Sequence, residues 1–250
     1  IIQISAQVIF FTFNQLHMKQ VIFLLGLLAG YANACSQDRK LDQPLNVQSA
    51  SMFIEADRYF AKTVLELTVI NDQSVEIEAA QNFILDEGQV ITGLELQLNG
   101  RYREGSIEEK WKAANAYNSV VGKRVDPAIV QMTAKNSYRL NIYPIPPKST
   151  RKLKLHIAQL LPFKEGRIWY QFKNPFGVCR DSLRVKIGIQ APECQARTEN
   201  GLLKNSWFDI GQDIARLNQV FMNAPSDSLA FSFIPHERRP VVYQCDNKKD

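Results

Sequence analysis

The sequence predicts a mainly β fold with some helix: an antiparallel, sandwich-like domain with one amphipathic helix, followed by a β-rich C-terminal extension. Three observations support this prediction. β-branched runs recur along the chain between turn residues, Asn99-Gly100 is a strong hairpin signal, and the segment of about 106–122 has helical periodicity. With 250 residues, of which 45% are hydrophobic, the chain is long enough for one large β-rich domain or two small ones.

The first 34 residues have the composition of a targeting segment. Residues 18–34 combine an early Lys19, an apolar run from Val21 to Ala29 and an Ala-x-Ala end, which are the three parts of a secretory signal peptide. The run is shorter than the roughly 20 residues of a membrane span. Residues 1–17 contain no Met, so we interpret them as upstream or disordered sequence. An alternative interpretation joins the apolar stretches on both sides of residues 14–20 into a membrane anchor.

This signal predicts an exported protein, located in the periplasm, on the cell surface or outside the cell. Cleavage after Ala34 would place Cys35 at the new N-terminus, where lipoproteins are acylated, although Ala32 stands where a Leu-like residue is expected. The other cysteines are Cys179, Cys194 and Cys245. In an oxidising compartment a disulfide between the first two would close a short loop.

After a linker predicted over residues 35–54, strands are expected through a domain of residues 55–162 and an extension of residues 163–250. The predicted strands cover residues 59–70, 75–85, 90–98, 101–103, 129–132, 138–143, 152–161, 167–172, 182–189, 229–234 and 241–244. Within the extension, the spacing of Ile214, Leu217 and Phe221 predicts a short helix over about 211–223.

The helix of about 106–122 is the element with the most complete set of local signals. Ser106 and Glu109 have the spacing of a capping box, in which each side chain satisfies the other residue's backbone N–H. Gly122 is suited to the C-terminal cap. One apolar face is formed by Ile107, Trp111, Ala114, Tyr117 and Val121. We expect Trp111 to pack this helix against a sheet.

The sequence contains no constellation that indicates catalysis. His156 falls within a predicted strand and His236 within a polar turn, and neither a Gly-x-Ser-x-Gly elbow nor a Gly-rich phosphate loop occurs. The net charge of +5 comes from dispersed basic residues without interleaved aromatics, which argues against nucleic-acid binding. We therefore expect a protein without enzymatic activity, cofactor or metal site. The remaining alternative from the enzyme class is a hydrolase.

Several segments resemble the VIT domain of inter-alpha-trypsin inhibitor heavy chains, in the family's order. Residues 63–71 resemble its opening strand, which ends in Asn, and residues 83–93 resemble its next segment, with Asp86 in place of the usual Pro. Gly105 to Tyr117 resembles its helix, and residues 138–161, with Pro144 to Pro147, resemble its closing strands. Residues 125–131 are similar to the variant in bacterial exported VIT proteins.

The resemblance implies a β-rich fold with a central helix and no catalytic residues to carry over. It also implies a protein-interaction or scaffolding module whose partner is an unidentified protein, with membrane contact only through the signal peptide or a lipid anchor. Two alternatives remain: a surface lipoprotein adhesin acylated at Cys35, or a fragment of a protein in which a von Willebrand A domain follows the VIT domain. The Asp-x-Ser-x-Ser cation motif of that second domain is absent from the sequence.

Overall fold

The structure is a computed structural model that describes residues 43–105, 128–190, 195–224 and 227–234. These residues form strands arranged in three sheets, and no helix occurs among them. In chain order the strands are β1 (Val47–Asp57), β2 (Phe60–Asn71), β3 (Ile77–Ile84), β4 (Gln89–Leu98), β5 (Arg101–Glu104), β6 (Ala128–Ala134), β7 (Ser137–Ile145), β8 (Ser149–Leu160), β9 (Phe163–Lys164), β10 (Arg167–Lys173), β11 (Ser182–Gln190), β12 (Arg197–Thr198), β13 (Asp209–Ile210), β14 (Ile214–Met222) and β15 (Ser228–Phe233).

The largest sheet has eight strands in the order β13-β14-β11-β1-β2-β8-β4-β5. Its neighbouring strands are antiparallel except for β1 and β11, which run parallel from the Ser49–Ser182 pair to the Asp57–Gln190 pair. Along β2 and β8, buried and partly exposed residues alternate, as expected for a sheet with one face in the core and one towards solvent.

Two smaller sheets, β12-β15-β10-β9 and β3-β7-β6, cover the inner face of the large sheet. Asn71 of β2 donates from Nδ2 to the Ile145 carbonyl of β7 at 2.9 Å. On the other side, the rings of Tyr170 and Phe231 stack with centroids 4.8 Å apart. A single buried hydrophobic cluster contains residues from all three sheets. This cluster supplies most of the stabilisation, because burying apolar surface contributes roughly 25 cal/mol per Å².

The predicted fold class, mainly β with helix, is wrong, since the described part of the chain is all β. The predicted short helix over about 211–223 is instead strand β14, whose nine residues pair with β11 from Ile214–Gln190 to Met222–Ser182. Helical spacing of Ile214, Leu217 and Phe221 is also compatible with a strand in which Ala215 and Leu217 face the core. Pairing with β11 decides between the two, because tertiary contacts override weak local propensity. The predicted helix over 106–122 lies outside the described residues.

Two local features bear directly on the predictions for the first half of the chain. Asn99 and Gly100 have φ values of 52° and 78° and join β4 to β5, so the predicted hairpin is confirmed. Strand β1 begins at Val47, within the segment that the sequence analysis interpreted as a linker. No helix among the described residues has the length and apolar character needed to cross a membrane.

Candidate functional site

The solvent-facing side of the eight-stranded sheet, called the outer face here, collects charged side chains from strands that are distant in sequence. Strand alternation places every second residue on this face, and cross-strand pairing aligns these residues into rows. One row contains Val220, Arg184, Ser51, Glu66, Lys154 and Glu95. The next row contains Asn218, Lys186, Phe53, Val64, His156 and Gly93.

On β8 and β4 the outer face brings a carboxylate into contact with two basic side chains. His156 Nε2 lies 2.6 Å from Glu95 Oε1, and Lys154 Nζ lies 3.4 Å from Glu95 Oε2. The Lys154 ammonium also sits 3.8 Å from the centroid of the Tyr102 ring, a cation–π distance. Gly93 faces His156, and a Cβ atom at Gly93 would come within 3.4 Å of the imidazole. We call Glu95, Tyr102, Lys154 and His156 the paired half.

Tyr102 titrates unusually within the paired half. Burial, followed by the negative charge of Glu66, the direct interaction of the hydroxyl with the Glu66 carboxylate and the charge of Glu95, raises the pKa of the Tyr102 hydroxyl to about 12. The hydroxyl oxygen is buried and makes no hydrogen bond with any residue in the described part of the chain. Glu66 is therefore close enough to disfavour the tyrosinate without the geometry of a hydrogen bond. The phenol stays neutral and acts as a flat surface for Lys154.

On β11 and β14 the outer face carries cations that form no ion pair among the described residues, although Asp209 of β13 lies opposite Arg216 and Glu55 lies on the same face of β1. Lys186 Nζ lies 5.6 Å from the ring centroid of Phe53, and Phe53 and Val220 are 37% and 45% exposed. Arg184, Lys186 and Arg216 form no ion pair with a carboxylate among the residues that the structure describes. We call Phe53, Arg184, Lys186, Arg216 and Val220 the unpaired half. This half combines positive charge with exposed apolar area, a combination suited to recognition of another surface.

Neither half has the composition of a metal centre. Within the described ranges no group of three or more histidine, cysteine, aspartate or glutamate side chains is close enough to hold a metal ion. The arrangement can bind through charge, aromatic stacking and apolar contact. Its donors are the guanidinium and ammonium groups of the unpaired half.

Comparison with known proteins identifies the segment that builds most of this sheet. The family model for the vault protein inter-alpha-trypsin domain matches residues 47–157. This chain carries a VIT domain. The match begins at the first residue of β1 and runs into β8, so strands β1, β2, β4 and β8 of the outer face belong to the VIT domain. Strands β11 and β14 extend the same sheet from outside the matched segment.

Solved structures resemble this chain only weakly, and no curated protein matches the sequence. A Legionella pneumophila protein described as nutrient binding is 11% identical, with a TM-score of 0.49 and coverage of 78% of this chain and 68% of its own. A Deinococcus radiodurans M1 zinc metallopeptidase is 12% identical, with a TM-score of 0.45 and coverage of 76% of this chain and 42% of its own. The collagen-binding subdomain of an Enterococcus faecalis surface protein is 9% identical, with a TM-score of 0.30 and coverage of 69% of this chain and 94% of its own. These values are too low to assign any of those activities to this chain.

Most residues singled out from sequence lie outside the described part of the VIT protein. These residues are Cys35, Ser106, Glu109, Trp111, Tyr117, Gly122 and Cys194. Cys179 is described and is 1% exposed, and burial raises the pKa of its thiol. A thiol in this environment is held in its neutral, less reactive form. His156, expected as a half-exposed strand residue, lies on β8 in contact with Glu95.

Sequence reasoning missed the unpaired half of the outer face. Arg184 and Lys186 alternate with buried Val185 and Ile187, a pattern that shows which side of β11 faces solvent. Phe53 gave no comparable signal, because strand β1 was not predicted. The juxtaposition of β1 with β11 depends on a parallel pairing that no local pattern encodes.

Proposed function

We propose that this chain is an exported, non-catalytic interaction module that binds an acidic partner protein through the unpaired half of the outer face, to which the VIT domain contributes Phe53. The observation that carries the proposal is the position of Arg184 and Lys186 beside the exposed Phe53, with no carboxylate among the described residues paired to either cation. The VIT domain supports a role in protein interaction.

The chemistry of the unpaired half defines the partner's surface. Cations that already have a partner within the protein must lose it to bind another molecule, whereas solvated cations lose only water. Arg184 can hold a carboxylate through two parallel N–H groups, and Phe53, which lies opposite Lys186 in the neighbouring row, supplies an aromatic anchor. A partner surface with aspartate or glutamate around an apolar centre would complement both features.

Photo-cross-linking tests this proposal with a matched control. A benzophenone side chain replaces Phe53 in one sample and replaces Trp207, which is 81% exposed and lies outside the strands, in the other. After irradiation of the protein in its native extract, we expect a specific protein adduct at position 53 and none at position 207. The captured protein is then purified, and its direct binding to the wild-type chain is measured.

Charge reversal separates specific binding from non-specific capture. The double variant Arg184→Glu/Lys186→Glu should lose the adduct and weaken direct binding by at least about tenfold, since each reversal replaces attraction by repulsion. Lys204→Glu at an exposed turn position changes the net charge by as much as the single variant Arg184→Glu, but it should leave binding unchanged where Arg184→Glu weakens it. Equal adducts at positions 53 and 207, or equal effects of the two reversals, would contradict the proposal. Tight binding of mixed-sequence single-stranded DNA at the same face would replace it with a nucleic-acid function.

Export forms the second part of the proposal and rests on residues 18–34. Expression of the natural reading frame should yield a mature chain that lacks these residues. Intact mass spectrometry distinguishes a simple cleavage product from one that carries acyl chains on Cys35. A mature chain that keeps residues 18–34 would contradict export by this signal.

A further inference from the structure

A cleft of about 470 Å³ lies at one end of the sandwich, away from the unpaired half. It is bounded by the turn between β3 and β4, by the residues at the end of β8, and by the hairpin of β9 and β10. Its lining includes Asp86, Glu87, Gln159, Lys164, Glu165 and Trp169. The volume falls within the range of roughly 300–1,000 Å³ that is typical of sites for small ligands and side chains.

The floor of the cleft is a buried amide network. Gln89 and Gln159 pair across β4 and β8, and Gln89 Nε2 donates to Gln159 Oε1 at 3.1 Å and to the Gln171 carbonyl at 2.9 Å. Gln159 is 6% exposed, yet its Nε2 has a single contact of 3.5 Å, to the same Gln171 carbonyl. That distance is beyond the usual range for an N–H···O bond. Because an amide nitrogen carries two N–H groups, at least one of those of Gln159 has no acceptor among the described residues and is available to a ligand.

One wall of the cleft is aromatic and is held in place. Trp169 donates from Nε1 to the Lys164 carbonyl at 3.1 Å, and its backbone N–H donates to the Pro162 carbonyl at 3.0 Å. These two bonds limit the freedom of the indole ring, so a ligand that stacks on the ring does not have to order it. Indole is also the best aromatic partner for a cation.

The charges around the cleft are mostly negative. The lining residues include three carboxylates, those of Asp86, Glu87 and Glu165, and one ammonium group, that of Lys164. Glu87 has a second cation near it, Lys135, but their atoms are 3.9 Å apart and their side chains are 90% and 85% exposed. A pair so exposed contributes little and leaves the carboxylate available.

We propose that this cleft binds an arginine side chain presented by a polypeptide. The planar guanidinium stacks on Trp169 and donates to the surrounding carboxylates, while the Gln159 amide donates to a backbone carbonyl of the same peptide. Arginine fits better than lysine, because its flat group can stack and bond in its own plane simultaneously. The site lies on a different surface from the unpaired half, and neither site depends on the other.

A nuclear magnetic resonance titration of the full chain tests the site directly. The chain has three tryptophans and therefore up to three indole N–H signals, and the signal that disappears in Trp169→Phe belongs to the cleft. The probe is N-acetyl-arginine-N-methylamide, and the control is the corresponding norleucine compound, which keeps an alkyl chain without charge. We expect a saturable shift of the Trp169 signal with arginine and none with norleucine.

Variants locate the interaction within the cleft. Glu165→Gln should weaken arginine binding by up to about fivefold, as expected for loss of one exposed charge, whereas Asp213→Asn outside the cleft should not. Equal shifts with arginine and norleucine, or no saturable shift with either, would overturn the proposal. If guanidinium chloride saturated the Trp169 shift at the same concentration as the arginine probe, the peptide carbonyl would contribute nothing to binding. That result would overturn the proposal that the arginine is presented by a polypeptide.

Discussion

Thr63 of β2 and Tyr170 of β10 share a hydrogen bond of 2.7 Å between Thr63 Oγ1 and the Tyr170 hydroxyl, which links the large sheet to the four-stranded sheet. Both residues are buried, and burial raises the pKa of Tyr170 far above its ordinary value. Tyr170→Phe should lower the free energy of unfolding by about 1–2 kcal/mol, because the Thr63 hydroxyl would remain buried without this partner. Urea denaturation followed by circular dichroism measures the change.

A double variant provides the control for this bond. Replacing Thr63 by Val in the Tyr170→Phe background removes the orphaned hydroxyl and keeps the shape of the side chain. The double variant should therefore recover part of the lost stability, since apolar replacement of both partners is nearly neutral. If the loss of stability in the double variant equalled the sum of the losses in the two single variants, the two hydroxyls would not interact.

Glu199 should make the stability of the protein depend on acid pH. Burial opposes its ionisation, but hydrogen bonds from Ser232 and Arg197, with the charges of Arg197 and Arg167, outweigh burial and lower its pKa. A lowered pKa means that the stabilisation is present above the unfolded value of 4.5 and is lost as pH falls through the folded value. Glu199→Gln should be less stable than wild type by about 1–2 kcal/mol at neutral pH. That difference should shrink below pH 4.5, and a difference independent of pH would contradict the assignment.

Tyr102 should be replaceable by Phe without loss of stability. Its buried hydroxyl has no hydrogen-bond partner among the described residues, so Tyr102→Phe should change the free energy of unfolding by less than about 0.5 kcal/mol. In the wild-type protein the pKa of Tyr102 is about 12, above the ordinary value of 10.0. Between pH 10 and pH 12 the folded chain therefore keeps the phenol proton that the unfolded chain releases. Wild type should therefore lose stability from pH 10 to pH 12 more steeply than Tyr102→Phe. Parallel stability curves at alkaline pH would contradict this.

Gly201 and Gly166 form a matched pair for testing backbone constraint. Both have positive φ, 104° and 75°, but a Cβ atom at Gly201 would lie 2.3 Å from the Ser228 carbonyl oxygen, whereas one at Gly166 would meet no atom within 4 Å. Gly166→Ala should lower stability by about 1–2 kcal/mol, from the backbone conformation alone. Gly201→Ala adds a backbone clash and should lower stability by at least about 1 kcal/mol more, measured by thermal unfolding. Equal losses would exclude a contribution from the clash.

Local signals predicted the strands in which buried and exposed residues alternate clearly. They failed where the secondary structure of a segment depends on its pairing with a distant strand. In β2 and β8, Leu67 and Leu155 are flanked by polar neighbours, so a period of two is visible without the structure. In β14, Ile214 and Leu217 also suit a helix, and only the pairing with β11 makes the segment a strand. Strand β1 contains Gln48, Ser49 and Ser51 in its first half, which hid its pattern among linker-like residues.

The candidate sites were less predictable than the strands for the same reason. Lys186 and Phe53 become neighbours only through the register of β1 against β11. Gln89 and Gln159 could not be recognised as a buried pair, because glutamine in a strand usually faces solvent. The VIT resemblance identified the domain from its motifs, which contain Asp86, Glu87 and Gln159 of the cleft but none of the residues of the unpaired half.

The parallel pairing of β1 with β11 also has a consequence for folding order. β1 lies at the start of the VIT segment, but one of its two neighbours in the sheet is β11, which lies beyond the end of that segment. During synthesis β1 can pair with β2 early, yet its other edge stays open until β11 has left the ribosome. Contacts so distant in sequence slow folding and leave an open strand edge that invites aggregation. A fragment limited to residues 47–157 should therefore associate with itself, and sedimentation of this fragment beside the full chain would reveal it.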